Sequence, residues 1–402
     1  MNKKLNLAVA AAVMAMGASA ANAGIVIPAG DWTIDINGNV NAFYIYNSSS
    51  DANVIGGGIA NARGANGSGT SSINTGLLPS WLGFTGKTRQ NDLDVSWTIS
   101  FQPGASSAHG LQGGSASEFR QANLTFGDKS WGTIKIGKDL GVFGANAILN
   151  DQTLLGVGSQ GIVGNTGGTT TTLGRIGTGF IYADFTGQIN YTTPDWNGFQ
   201  VTAGIRQPWT SVNLGTSAAI AGNQDTPGFE GVASYSWAGD FSGKVWLEGL
   251  HQDVQGIAGT VNTSDSADVF GLGASVNFSG VNLVGYYYNG EGVGTTSLLA
   301  DGYAAGTGNS RDSDGGYVQA SFKIPGVGTK LAASWGESNL DLASGEVAGT
   351  TVKSNEMWTI GAYHPLTSSV NLVAEYSRVE SSNQLGAKNT SDIFDLGAIL
   401  FF

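Results

Sequence analysis

Residues 93–102 read LDVSWTISFQ. Leu93, Val95, Trp97, Ile99 and Phe101 alternate with Asp94, Ser96, Thr98, Ser100 and Gln102. A strict period of two is the mark of a β-strand, because successive side chains leave the backbone on opposite faces. One face of this strand is wholly apolar and the other wholly polar. A soluble sandwich makes such a strand with its apolar face in a dry core. A membrane barrel makes it inside out, with apolar side chains on lipid and polar ones on the lumen.

The pattern repeats outward from there. Alternation predicts strands near 31–46, 77–87, 117–127, 131–138, 179–193, 199–209, 228–237, 243–252, 267–278, 281–289, 314–324, 330–340, 353–364, 370–380 and 391–402, sixteen in all. Connections alternate short and long. TRQND (88–92), PDWNG (194–198) and PGVGT (325–329) are short; 47–75, 139–178 and 290–313 are long. Short turns on one rim and long loops on the other is the barrel layout. Eighteen strands remain an alternative if a pair is merged in 228–289, where Val245 and Leu247 oppose Trp246 and Leu250 and the alternation weakens. Trp32, Tyr46, Trp131, Trp196, Trp209, Trp237 and Tyr363 fall near strand ends, as interfacial aromatic girdles require. At the end of the chain Phe394, Leu396, Ala398, Leu400 and Phe402 are apolar at every second position. An exposed edge of that kind invites aggregation; pairing with the first strand removes it. The expected fold is therefore all-β, a transmembrane antiparallel barrel closed by strand 391–402.

Composition sets the outer limits. Lys3 and Lys4, an apolar run from Leu5 to Gly17 and the triplet Ala21-Asn22-Ala23 predict a signal peptide over 1–23, cleaved at Ala21 and Ala23, before a single barrel domain over 24–402. No later stretch is apolar enough to cross a membrane as a helix. There is no cysteine, which removes disulfides and thiolate metal sites. A formal charge of −12 with no basic run argues against nucleic acid as a partner. The three histidines, His109, His251 and His364, are scattered, and neither HExxH nor GxSxG occurs. Enzyme chemistry and a bound cofactor are accordingly not expected. The string Gly156-Val157-Gly158-Ser159-Gln160-Gly161 has the GxGxxG form but lacks the strand-then-helix setting of a dinucleotide site.

SWLGFTGK (80–87), FRQANLTFGDKSWGTIKIGKD (119–139), INYTTPDWNGFQ (189–200) and the terminal Phe402 resemble, in order and spacing, the Gram-negative general porins. The resemblance covers the whole mature chain. It implies a sixteen-stranded barrel, a homotrimer, an outer-membrane location and passive diffusion of small hydrophilic solutes. The apolar alternation ending at Phe402 resembles the signal read by the barrel-assembly machinery. LGVFGANAILNDQTLLGVG (140–158) stands where the family has a third loop folded into the lumen. Trp81 replaces the arginine of the family's R-L-G-F pattern before Leu82-Gly83-Phe84, Arg120 keeps its place, and Asp184 falls near a third expected arginine.

The constriction loop is expected at about 139–178, with Asp139, Asp151 and Arg175 as its only charges and a short helix or turn over Ala145–Leu155. Trp81, Arg120, Tyr182, Asp184 and Arg206 are expected on the pore wall. Arg120 shares a strand face with Leu124 and Phe126, so a bulge or a rim position is needed to turn it inward. Asp184 is expected on the lumen side, because an acid on lipid at mid-membrane is costly. With Asp35, Asp94 and Glu230 it makes the inward set acidic, which predicts mild cation preference. Acids beside the long loops, such as Asp265 and Asp268, suit divalent cations bridging to lipopolysaccharide. Two other functions are open at this stage. One is a substrate-selective pore for a sugar, organic acid or aromatic solute, with Trp81, Phe180 and Tyr182 stacking on it. The other is a non-conducting structural or adhesive barrel.

Overall fold

The structure is a computed structural model that describes residues 24–65, 67–105, 117–160, 171–214, 218–219, 224–256 and 264–402. The expected leader, with Ala21 and Ala23, lies outside the described residues. Sixteen antiparallel staves form the wall: β1 (Trp32–Ser49), β2 (Gly69–Asn74 and Trp81–Gln90), β3 (Leu93–Pro103), β4 (Ser117–Asp128), β5 (Gly132–Leu140), β6 (Phe185–Thr192), β7 (Phe199–Arg206), β8 (Gly228–Trp237), β9 (Phe241–Gln255), β10 (Ser264–Phe278), β11 (Val281–Glu291), β12 (Asp312–Lys323), β13 (Lys330–Leu340), β14 (Val352–Pro365), β15 (Val370–Asn383) and β16 (Lys388–Phe401). The continuous sheet has eighteen segments, but two of them share the β2 position and the short Ile25–Ala29 only extends an edge of β1. The eighteen-stave alternative is thereby set aside.

β16 pairs with β1 from Asn39↔Phe401 to Ser49↔Ser391 and closes the barrel. Gly38 and Phe402 exchange backbone hydrogen bonds of 3.0 and 3.1 Å just below that ladder. Tight turns follow from residue choice. Asn91 and Asp92 join β2 to β3 with φ of 48° and 64°. Two left-handed residues match the twist of a two-residue hairpin, and Asn and Asp tolerate that conformation.

Alternation translates into an apolar exterior. Leu396 is 55% exposed and its neighbour Asp395 is wholly buried. Leu82, Ile99, Leu272 and Val318 are likewise exposed, and Ser100, Thr359 and Ser377 are buried. The weak alternation of β9 has a local cause. Val245 and Leu247 face outward, while Trp246 and Leu250 join a buried cluster with Phe143, Ala147 and Ile148 of the β5–β6 connection. The inner wall there is apolar because it is covered.

Four expectations need correction. The predicted strand 77–87 is broken: residues 75–80 leave the ladder, and β2 resumes above them as Gly69–Asn74, inside the stretch read as a loop. Asn39 and Asn41 replace the lost ladder bonds with side-chain bonds to Pro79 O, Leu78 O and Gly76 N of 2.8–3.0 Å. The predicted strand 179–193 begins only at Phe185, because Asp184 is left-handed (φ 52°) and ends the extended run. Ile181 and Ala183, which the alternation of strand 179–193 opposite a lumen-facing Asp184 carries to the lipid side, are wholly buried. Tyr363, expected in an aromatic girdle, points inward, and its hydroxyl donates to Glu375 Oε1 at 2.5 Å.

Candidate functional site

The chain leaves the wall after Leu140 and returns at Phe185. Gly144 (φ 79°) turns it into a short helix α1, Ala145–Asn150. The Asp151 side chain then caps a 3₁₀ turn, Gln152–Leu155, by accepting from Thr153 N at 3.0 Å. The helical segment expected over Ala145–Leu155 is thus two short pieces. Neither could stand alone at this length, so their stability comes from what they touch.

They touch inner-face side chains around the barrel. Phe143 N donates to Glu230 Oε2 (3.2 Å) and Gly144 N to Glu248 Oε1 (3.0 Å). Gln152 N donates to Gln319 Oε1 (2.7 Å), and Tyr317 OH donates to Ala147 O (2.8 Å). Val157 N and Gly158 N both donate to Glu375 Oε2, at 2.8 and 3.0 Å. Arg175 Nη1 donates to Met357 O (2.9 Å), and Gly179 N to Ser338 Oγ (2.9 Å). Buried backbone amides must find acceptors, and a carboxylate is the stronger acceptor. Three wall glutamates therefore carry three points of one connection. The GxGxxG string ends up with its second and third amides, Val157 and Gly158, on a protein carboxylate.

The expected pore residues divide into two groups. Arg120, Tyr182 and Asp184 meet at the returning end. The β3–β4 register jumps between Ser100 and Gln102, so a bulge gives β4 an extra residue there. Phe119 and Leu124 both stay outward. Arg120 Nε contacts Glu118 Oε2 at 2.7 Å, its Nη1 donates to Tyr182 OH at 3.2 Å, and its guanidinium lies over the Phe185 ring. Asp184 accepts from Phe185 N at 2.5 Å. Burial pushes its carboxyl above the usual range, opposed by that amide and by nearby Arg120 and Arg206. Next along the wall, Asp139 takes Lys135 Nζ (2.5 Å) and Gln121 Nε2 (2.9 Å). Trp81 is half-buried and donates from Nε1 to Asn37 Oδ1 at 3.3 Å.

The second group is closed off from water. The side chains of Asp151 and Arg175 are 0% exposed, 3.9 Å apart. Arg206 is buried between Glu230 (3.3 Å) and the Trp209 ring. Phe180 is wholly buried beside Tyr317. Asp151, Arg175, Arg206 and Phe180 are therefore ties within the packing rather than groups presented to a lumen, contrary to expectation. A residue of either type can be placed inside by strand parity, but parity does not say what covers it. Glu248 and Glu375 went unremarked in the sequence. Their signal was there: each is an acid at an inward position of an alternating strand, between outward Leu247 and Gly249, and between outward Ala374 and Tyr376.

A model of the Gram-negative porin family matches residues 8–384. No curated protein sequence matches the chain. Among solved structures, the outer membrane channel DcaP of Acinetobacter baumannii superposes with a TM-score of 0.65 at 15% identity, over 94% of this chain and 100% of that one. OmpF of Salmonella typhi, in complex with daunomycin, gives 0.59 at 15% identity, over 94% and 100%. OmpT of Vibrio cholerae gives 0.56 at 17% identity with the same coverage. At these identities the likeness is one of fold.

Proposed function

The chain belongs to the family of Gram-negative porins, and on that premise we propose that it is a passive diffusion channel of the outer membrane for small hydrophilic solutes and ions, mildly cation-preferring, and not an enzyme. One observation carries the reading: the wall closes on itself with apolar side chains outside and polar ones inside. Such a wall satisfies every strand in lipid and leaves a polar interior. The connection 141–184 is read as the element that narrows that interior. The open route then runs along β2–β5, past Trp81, Arg120, Lys135 and Asp139. A homotrimer, help from the barrel-assembly machinery, and divalent cations bridging outer acids to lipopolysaccharide belong to the same reading.

Planar-bilayer recording tests it. A near-ohmic conductance with a cation-side reversal potential in a KCl gradient is expected. Asp184→Asn should move that potential toward zero. Folded protein without conductance would sink the channel, and an unmoved potential would remove Asp184 from the selectivity-setting groups.

A further inference from the structure

Resting on the channel reading, we propose that the constriction adds selection by apolar contact to its mild charge preference. Trp81, Phe401, Leu155 and Leu173 form a lip that takes an aromatic ring carried on a small hydrophilic solute.

The first support is the charge carried by the part of the connection that ends at Gly179. Between Leu140 and Gly179 the sequence holds only two ionisable charged residues, Asp151 and Arg175. Both side chains are 0% exposed and face each other. This stretch therefore exposes no ionised group. On the adjoining wall the charges are matched in pairs, Arg120 with Glu118 and Lys135 with Asp139.

The second support is the break in β2. Residues 75–80 leave the wall and carry Leu77 and Leu78 against the connection, where both are nearly wholly buried. Leu77 N donates to Gly156 O (2.9 Å), and Thr172 N donates to Gly76 O (3.2 Å). The fit leaves no slack: a Cβ on Gly174 would lie 2.2 Å from Leu77 Cδ2. Four apolar side chains remain half-exposed near this junction. Leu155, Leu173 and Phe401 each pack against both buried clusters of the barrel interior, and Trp81 packs against one of them. Trp81 stands edge-on to Phe401, ring centres 6.4 Å apart, with its indole nitrogen held by Asn37. Phe401 alternates with outward Leu400 and so points inward. Two fixed rings and two leucines that keep water on one side are a desolvating surface for a flat apolar group. The matched charges of β4 and β5 provide hydrogen bonds for the polar remainder of the solute.

The test uses the full mature chain in planar bilayers, with phenyl β-glucoside and sucrose as probes and KCl conductance read in the same experiment. Phenyl β-glucoside should occlude the current roughly two- to tenfold more strongly than sucrose. Trp81→Ala, and Leu155→Ser outside the wall, should each bring that ratio close to one. Val347→Ser, on an outer loop, should keep it. Equal occlusion by the two probes in a conducting wild-type channel overturns the lip while leaving the channel reading intact. A ratio preserved in both Trp81→Ala and Leu155→Ser overturns it as well. Absence of KCl conductance overturns the channel reading itself, and the lip with it.

Discussion

Glu375 is the place to test whether wall carboxylates hold the β5–β6 connection. Its Oε2 accepts from Val157 N and Gly158 N, and its Oε1 from Tyr363 OH. Glu375→Ala leaves three buried donors without that partner. Each costs about 1–3 kcal/mol when unpaired; water entering the space vacated by the side chain offsets part of this, which leaves about 2–4 kcal/mol as the net loss. If opening of this segment is a local equilibrium, the open population rises by roughly 30- to 1,000-fold. The chain has no cysteine, so a single Ser159→Cys reports cleanly; Ser159 is wholly buried beside the anchored amides. The assay is the rate of labelling of that cysteine by a membrane-impermeant maleimide in folded protein, with and without Glu375→Ala. Glu375→Gln keeps an acceptor oxygen but not the charge and should fall between. Labelling rates within twofold for Glu375→Ala and its parent would refute the idea that Glu375 anchors the connection.

Three further outcomes follow from single contacts. Asn41→Ala removes the side-chain bonds to Leu78 O and Gly76 N, which should loosen residues 75–80 by about 1–3 kcal/mol and speed amide exchange at Gly76 and Leu77. A Cβ on Gly38 would lie 2.1 Å from Trp81 O, so Gly38→Ala should destabilise the β1–β2 seam by about 1–3 kcal/mol, read as a lower temperature for loss of the folded band on unboiled gels. The Arg311 guanidinium grips Glu346 at 2.9 and 2.6 Å. Burial pushes the Glu346 carboxyl up, but the Arg311 bonds and the Ala343 amide outweigh it and leave it below its ordinary range. Its contribution is thus present above the usual carboxylate range and is lost as pH falls through the lowered value, so proteolysis of the 341–351 loop should accelerate under acid and not at neutral pH. Arg311→Ala should abolish that pH dependence.

Much of the wall was legible without coordinates, for a simple reason. In LDVSWTISFQ (93–102) or SDIFDLGAILFF (391–402) every residue meets either lipid or the interior, so the period of two is written directly in the sequence. That Arg120 needed a bulge or a rim position was legible too, because Leu124 and Phe126 could not share lipid with a guanidinium; the register shift at Ser100/Gln102 decides for the bulge. Strand parity failed where the chain left the wall. Ile181 and Ala183 keep the alternation of Phe185 and Ile189, yet lie inside, because one left-handed residue at Asp184 changes the path of the backbone and no hydropathy pattern records it.

By itself, then, the sequence determined most of the staves, a count of sixteen with eighteen left open, the side most wall side chains take and the presence of one long, nearly uncharged connection. Those are local properties, fixed by alternation against lipid. Only the tertiary structure decided what covers the inner face. It brought Glu230, Glu248 and Glu375, on three different staves, to amides of one segment. It also buried Asp151 against Arg175 and turned residues 75–80 inward. Packing across a closed barrel joins residues with no common period, and that information exists only once the ends of the sheet have met.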